Sequence, residues 1–358
     1  MTAISEKMNQ LLSDPSVSEI MVDGPEQVYV ERQGQLEDTG IRFAGEREVI
    51  DWANGMLAAN GWEPVGEGRF WAEGRLPDWG RFVIVIPPVS VTGPNVVIRK
   101  FPFYPLTWPQ LLEWGCVSQT LFDFFKVVMR SRLNVLVSGG TASGKTTLAN
   151  LLVELIPPEE RLITVSQRQE FRIDHRRVVH LEAEAARASG GGEVTVTDLL
   201  RLSTNMRPDR LIVGELLGPE VIEVIRLMNL GHEGTLTLIH ANSPRDALAR
   251  LETMATVAEP SLTLPAIRAE LASALHLIIQ QSRLEDGSRK VVSVAEVQDL
   301  KGDSIVLQEL FRWEKTGLLD EGPFGRLTGV HKATGAVPSF VPFLSAQGLA
   351  FPEGMFEA

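Results

Sequence analysis

Hydrophobic positions follow two different patterns along the chain. Up to about residue 100, short apolar runs such as Ile20-Met21-Val22 and Val28-Tyr29-Val30 alternate with turn residues, which is typical of short strands. Residues 46–60 instead carry apolar side chains at helical spacing and end before Gly61. Further strands are predicted at 82–86 and 95–98. This part of the chain therefore predicts a small α+β domain.

After about residue 116, helical segments alternate with short, continuously apolar runs. Strands are predicted at 134–138, 162–165, 211–213 and 235–239, and helices at 121–130, 145–155, 219–228 and 265–275, with one more capped by Thr197. This alternation is typical of a mostly parallel sheet covered on both faces. Strands at 277–280, 290–294 and 305–310, with a hairpin turn at Asp286-Gly287, predict an antiparallel extension. The predicted fold class is thus α/β, preceded by a smaller α+β domain.

Composition suggests where the domains meet. Residues 101–110 contain three prolines and several aromatic residues, which favours a semi-rigid connector. The segment after Trp313 is rich in glycine and proline. We therefore expect an N-terminal domain over 1–102, a linker over 103–115, the α/β domain over 116–315 and a tail over 316–358.

The most specific chemical pattern is G-x-x-x-x-G-K-[ST], which starts directly after an apolar strand and runs into a predicted helix. Its glycines let main-chain N–H groups approach phosphate oxygens, and the helix directs the positive end of its dipole to the same place. Lys145 is expected to reach the β- and γ-phosphates of ATP, and the Thr146 hydroxyl to hold Mg²⁺. The candidate phosphate-binding residues are Gly139, Gly140, Thr141, Ala142, Ser143, Gly144, Lys145, Thr146 and Thr147.

Three further candidates follow predicted strands, where ligands of parallel sheets bind. Glu215 could orient water or the Mg²⁺ shell, Glu170 supplies a second acid, and His240 could donate a hydrogen bond to a γ-phosphate. Each also has a simpler interpretation, because an isolated acid after a strand is often solvated and an isolated histidine is often structural.

Two cations of the N-terminal domain, Arg81 and Arg99, lie at predicted strand ends close to the expected domain junction. Spacing alone favours a solvated or salt-bridged surface for both of them. A functional role for the pair needs a further argument.

Composition limits the function classes. The 358 residues carry a net charge of −12, which opposes sustained binding to a nucleic-acid backbone. The single cysteine, Cys116, excludes an intrachain disulfide and suits a reducing compartment. The chain shows neither a membrane-spanning apolar run nor a signal pattern at its start, so we expect a cytoplasmic protein.

Several motifs together resemble one family. They are SEIMVDGPEQVYVE at 18–31, GP at 93–94 with IRKF at 98–101, the glycine-rich loop, RPDR to GE over 207–215, GHEG to HANS over 231–243, and TG to PSF over 334–340. The chain resembles the secretion ATPases of the type II/type IV secretion and type IV pilus superfamily, most closely the CpaF-like branch that serves tight-adherence (Tad) pili.

The resemblance implies a RecA-like P-loop ATPase domain and a homo-hexameric ring, with ATP held between the two domains. It implies that Glu215 belongs to the Walker B motif, that His240 ends the histidine box, and that Arg81 and Arg99 face the phosphates. Hydrolysis would drive a domain motion that an integral-membrane platform protein converts into pilus assembly or secretion. This would place the protein at the inner face of the cytoplasmic membrane.

The chain also departs from this family pattern. Ser166 and Gln167 stand where two acids are usual, with Glu170 as the retained third acid, and Leu216-Leu217 replaces a segment that usually contains an arginine. Losing carboxylates would slow turnover while nucleotide binding persists. Two functions therefore stay open: an ATP-hydrolysing motor, and a nucleotide-binding regulator with weak or no hydrolysis, which would work with a related ATPase paralogue. A DNA-translocating ATPase is a weaker third alternative.

Overall fold

The computed structural model describes residues 3–32, 35–76, 80–100, 106–168, 171–184, 192–319 and 326–357. The chain divides into two compact units, Met1–Pro105 and Leu106–Ala358. Each unit has a hydrophobic core of its own.

The smaller unit is an antiparallel sheet with helices on one face. Its described elements are α1 (Ala3–Ser13), β1 (Glu19–Asp23), β2 (Val28–Arg32), β3 (Gln35–Asp38), α2 (Glu46–Ala59), β4 (Trp71–Leu76), β5 (Gly80–Val85) and β6 (Asn95–Lys100). The strand order is β3-β2-β1-β6-β5-β4. Met8 of α1, Leu57 of α2 and Phe82 of β5 are buried in one core, because alternate residues of each strand face the helices. The prediction of a small α+β domain is confirmed.

The larger unit is built around a nine-stranded sheet. Its helices are α3 (Trp108–Glu113), α4 (Gln119–Arg130), α5 (Lys145–Glu154), α6 (Val196–Thr204), α7 (Glu220–Asn229), α8 (Pro244–Ala258), α9 (Leu264–Ala274) and α10 (Val341–Ala346). Its strands are β7 (Val135–Gly139), β8 (Leu162–Ser166), β9 (Val178–Glu182), β10 (Arg210–Glu215), β11 (Leu236–His240), β12 (Leu277–Arg283), β13 (Arg289–Lys301), β14 (Ser304–Leu319) and β15 (Arg326–Ala333). Both lists cover only the described part of the chain.

Strand β7 lies in the middle of this sheet, in the order β15-β14-β13-β12-β7-β11-β10-β8-β9. The strands from β12 to β9 are parallel, whereas β13, β14 and β15 pair antiparallel. The predicted α/β fold with an antiparallel extension is therefore confirmed. Because the parallel strands end at one edge, the residues after β7, β10, β11 and β12 come together there.

Two apolar layers cover the two faces of this sheet. Val137 of β7 packs in the layer that contains α4 and α5, and Leu136 packs in the layer that contains α6 to α9. The continuous apolar runs of the parallel strands are needed because every residue of such a strand is buried. In the described part of the chain, no helix is both long and apolar enough to cross a membrane.

The linker predicted over 103–115 differs from the observed structure where the chain is described. Residues 101–105 lie outside the described residues, and the following segment folds into α3 as part of the larger unit. Trp108 is buried there and its indole N–H donates to the Leu151 carbonyl oxygen at 3.2 Å. Thr107 and Gln110 form a capping box at the start of α3, so the prolines of this region do not prevent a helix.

Two other local predictions need correction. The helix cap predicted at Thr197 is wrong: Thr195 caps α6, and its hydroxyl oxygen accepts the Asp198 N–H in a capping box. The residues predicted as a tail over 316–358 include the end of β14, all of β15 and α10. Phe351 and Phe356 pack against Phe124 of α4, so this segment completes the core of the larger unit.

Candidate functional site

A tight glycine-rich loop connects the carboxyl end of β7 to the start of α5. Ala142 and Gly144 adopt left-handed conformations, with φ of 57° and 95°. A Cβ on Gly139 would collide with the Gln281 carbonyl oxygen and the Ser143 hydroxyl, so this position has no room for a side chain. The loop therefore has the strand-loop-helix arrangement that a phosphate-binding loop requires.

Lys145 is the first residue of α5 and is only 7% exposed. Its Nζ donates to the Gly140 carbonyl oxygen at 3.2 Å and lies 3.8 Å from Oε2 of Glu215. An ammonium group held across the loop in this way is a counter-charge for an anion that the loop would bind. The sequence predicted both residues for the same site, and the structure brings them together.

Glu215 and His240 end two neighbouring parallel strands, β10 and β11. The His240 Nδ1 lies 4.0 Å from the Glu215 Oε1, and His240 pairs across the sheet with Gly139 of β7. The pairing of β10 with β11 shifts between Ile212 and Glu215, which is the kind of irregularity that redirects a side chain at a strand end. Three predicted positions from three strands thus meet at one edge of the sheet.

At the end of β8, where the resemblance leads one to expect two adjacent acids, the chain has Ser166 and Gln167. Ser166 is buried beside Gly214, and among the described residues its hydroxyl has no hydrogen-bond partner. Gln167 is exposed. Glu170, predicted as the remaining acid, lies outside the described residues.

The segment after β10 contributes no cation. Leu216 is part of the apolar core, and the side chain of Leu217 is 66% exposed. The carboxylate of Glu220 accepts the backbone N–H of Gly218 at 2.9 Å, which closes the turn before α7. This turn is therefore ordered by hydrogen bonds without the arginine that the resemblance leads one to expect.

Gln281 belongs to the site although sequence reasoning missed it. It pairs with Gly139 from β12, is 4% exposed, and its amide nitrogen lies next to Gly144. Within the described part of the chain its Oε1 has no hydrogen-bond partner. Only the strand order reveals this position, because β12 is far from the loop in sequence and adjacent to β7 in the sheet.

A cavity of about 590 Å³ adjoins the loop on the side of the β12–β13 hairpin. Leu111, Trp114 and Leu148 give it an apolar wall, while Gly144 and Thr147 border it on the loop side. Pockets that combine apolar walls with a few polar groups are typical of small-molecule sites. The volume is sufficient for the nucleoside part of a nucleotide.

The residues present fit a magnesium ion only as a companion of a bound phosphate. Among the described residues, no cluster of three or more His, Cys, Asp or Glu side chains is arranged to hold a metal ion. Thr146, in the first turn of α5, and Glu215, at the end of β10, are the side chains that would supply oxygen atoms to such an ion. Mg²⁺ in such sites takes most of its ligands from phosphate and water, so few protein ligands are needed.

In the smaller unit, Arg81 and Arg99 are cross-strand partners on β5 and β6, and Arg75 of β4 is opposite Arg81 in the same row. Arg99 is 78% exposed on its side chain and its Nε lies 3.8 Å from the Glu19 Oε2. The sequence analysis missed Arg75, because only the pairing of β4 with β5 places it in this row. Glu19 of β1 is the next residue of this row beyond Arg99, so an acidic side chain of the same unit already lies beside the arginines.

The fold and the loop define a class: a mixed α/β protein in which a glycine-rich loop joins the central parallel strand to a helix. The family model described as "Type II/IV secretion system protein" matches residues 3–305, and the chain belongs to this family.

Individual relatives agree with this assignment. The chain is 31% identical over 301 residues to a putative conjugal transfer protein of Mycobacterium tuberculosis, covering 82% of this chain and 85% of the relative. It is 29% identical over 331 residues to the type IV secretion system protein VirB11 of Bartonella henselae, covering 81% and 90%. A crystal structure of the pilus retraction motor PilT with bound ADP shares the fold, with a TM-score of 0.59 at 17% identity, over 98% of this chain and 88% of PilT.

Proposed function

We propose that the larger unit binds ATP, with the phosphates held by residues 139–147. The observation that carries this proposal is the buried ammonium group of Lys145, which lies at the end of the central strand between the Gly140 carbonyl oxygen and the Glu215 carboxylate. Backbone N–H groups at the start of α5 and the helix dipole would add to the attraction for phosphate. The nucleoside would occupy the adjoining cavity beside Trp114.

In this proposal each predicted residue has a separate task. Thr146 would supply a hydroxyl ligand to Mg²⁺, which would neutralise developing charge on the phosphates. Glu215 would orient the attacking water, and His240, close to it, would respond to the presence of the γ-phosphate. Glu170 remains a predicted second acid of the same site.

We further propose that the protein is a motor of a secretion or pilus system. Its family and the VirB11 relative support this role. The finer expectations rest on the resemblance of its motifs to the secretion ATPases. They are a homo-hexameric ring, an integral-membrane platform protein as partner at the inner face of the cytoplasmic membrane, membership of the CpaF-like Tad branch, and contact of Arg81 and Arg99 with the phosphates.

A steady-state phosphate-release assay with Mg²⁺ and ATP tests the proposal. Wild-type protein should release phosphate, Lys145→Ala should lose binding and turnover, and Glu215→Gln should keep ATP binding while losing at least about 100-fold in turnover. Isothermal titration with ATP separates binding from hydrolysis. Wild-type turnover equal to that of Lys145→Ala would contradict the motor function.

The buried Ser166 hydroxyl favours a second candidate, a nucleotide-binding regulator with little hydrolysis that works beside a related ATPase paralogue. At this position the resemblance leads one to expect a carboxylate, and Gln167 replaces another. The double variant Ser166→Glu, Gln167→Asp tests the interpretation by adding both charges back. If wild type binds ATP without turnover and the double variant gains turnover, the regulator is the better description.

A further inference from the structure

Arg289, the first residue of β13, reaches across to the glycine-rich loop. Its Nε donates to the Ala142 carbonyl oxygen at 3.0 Å. Its Cδ lies 3.2 Å from the position that a Cβ would take on Gly144. One side chain therefore bonds Ala142 and lies beside Gly144, the two left-handed residues of the loop, which have φ of 57° and 95°.

The bonded carbonyl group belongs to the peptide that joins Ala142 to Ser143. Because the peptide unit is planar, fixing its C=O also fixes the direction of the Ser143 N–H. That N–H closes a turn on the Gly140 carbonyl oxygen at 3.3 Å, and the same oxygen accepts from Lys145 Nζ. Left-handed backbone is unfavourable for alanine, so a contact that holds this peptide preserves a shape that the loop sequence alone disfavours.

The backbone that carries Arg289 is itself well anchored. In the β12–β13 turn, Asp286 accepts the Ser288 N–H at 2.9 Å and the Leu327 N–H of β15 at 2.8 Å. On the other side, Lys290 donates to the Trp114 carbonyl oxygen at 2.7 Å. The guanidinium group is therefore presented from a fixed strand end.

We propose that Arg289 is a positioning residue of the nucleotide site, which holds the glycine-rich loop in its phosphate-binding shape through the Ala142 carbonyl group. The proposal rests on the proposed function, because it assumes that the loop binds phosphate. Arg289 also lines the cavity proposed for the nucleoside, and a direct contact through its positive charge is the alternative that the variants below separate from the positioning role. The hydrogen-bond donor at Nε, rather than the positive charge, is the feature that matters.

Two substitutions separate the donor from the charge and the bulk. In Arg289→Gln the amide nitrogen lies the same number of bonds from Cα as Nε, so a neutral donor is kept. In Arg289→Met a methyl group takes that place and no donor remains. Arg283→Ala is the matched control, since Arg283 is the exposed cross-strand partner of Arg289 on the same hairpin.

Dissociation constants for ADP and ATP with Mg²⁺ are measured by calorimetry, alongside the melting temperature without nucleotide. We expect Arg289→Met to bind about 10-fold more weakly, and Arg289→Gln and Arg283→Ala to stay within about threefold of wild type. Melting temperatures should be unchanged, because the side chain is exposed. If glutamine keeps the nucleotide affinity that methionine loses, a general loss of structure cannot explain the result.

Equal losses in the glutamine and methionine variants would overturn the proposal in favour of a charge effect. Wild-type affinity in the methionine variant would remove Arg289 from the site. Both outcomes leave nucleotide binding itself intact, and that proposal fails separately if wild type shows no binding or if Lys145→Ala binds as wild type does.

Discussion

Neutralising Glu160 should strongly destabilise the larger unit. Glu160 holds the buried side chain of Arg210, the first residue of β10, through two hydrogen bonds: Nε to Oε2 at 2.7 Å and Nη2 to Oε1 at 3.0 Å. The Arg210 side chain is 0% exposed and that of Glu160 is 13% exposed. Removing the carboxylate leaves an arginine in the interior without its counter-ion.

The expected cost follows from this burial. Breaking a buried ion pair by changing one partner costs about 3–5 kcal/mol, because the remaining charge loses its solvation without compensation. The Arg210 side chain also lies against Gly234, where a Cβ would collide with it, so it has little room to move toward water. The Arg132 guanidinium, 3.2 Å from Glu160 and 3.9 Å from Asp209, would lose the nearer of these two partners as well.

Urea unfolding followed by circular dichroism measures the effect of Glu160→Gln. At about 3 kcal/mol per molar urea, the midpoint of the larger unit should fall by about 1–1.7 M. Glu252→Gln is the matched control, because Glu252 binds Arg268 of α9 through two hydrogen bonds of 3.0 Å, with side chains 18% and 24% exposed. It should lose about 1 kcal/mol or less. Equal losses in the two variants would refute the argument from desolvation.

Three other predictions concern the site and the acid stability. Arg99→Ala should weaken ATP binding about 10-fold by calorimetry and leave the fold unchanged. Arg47→Ala, on the exposed side of α2, should bind ATP as wild type does. Equal affinities of the two variants would exclude Arg99 from ATP binding. Burial lowers the pKa of His331 to about 4, so its neutral form stabilises the fold fully above pH 6.5 and this stability is lost as the pH falls toward 4. Compared with His331→Gln, wild type should lose about 3 kcal/mol more between pH 7 and pH 4, and parallel stability curves would contradict this. Gly139→Ala should abolish nucleotide binding, because the added methyl group collides with neighbouring atoms. Gly218→Ala should be tolerated. Retained nucleotide binding in Gly139→Ala would refute the packing argument.

The sequence predicted those helices and strands whose hydrophobic pattern is regular along their whole length. Residues 46–60 gave α2, and the apolar runs around Val137 and Ile212 gave buried parallel strands, because both faces of such strands are covered. Edge strands were missed: β3 has four exposed residues and β9 is only partly buried, so neither shows a clear apolar pattern. Helix α1 was also missed, since its apolar side is short.

Residues of the candidate site could be predicted only where a polar or charged side chain lies at or shortly after the end of a predicted strand. Glu215 and His240 end buried strands, and Lys145 follows the central strand through the glycine-rich loop. Parallel pairing brings such positions to one edge. Gln281 and Arg289 could not be found in this way, because their role depends on β12 lying next to β7, which no local pattern encodes.

Several of the last residues of the chain pack in the hydrophobic core of the larger unit. Phe351 stacks on Phe124 and Phe356 meets the same ring edge to face. Together with Met355 they fill the layer that also holds Phe311 of β14. All of them except Phe124 lie beyond the residues matched by the family model, which end at 305. A protein shortened to that range would leave the aromatic side of α4 open to water, and we expect it to aggregate rather than serve as a minimal functional unit.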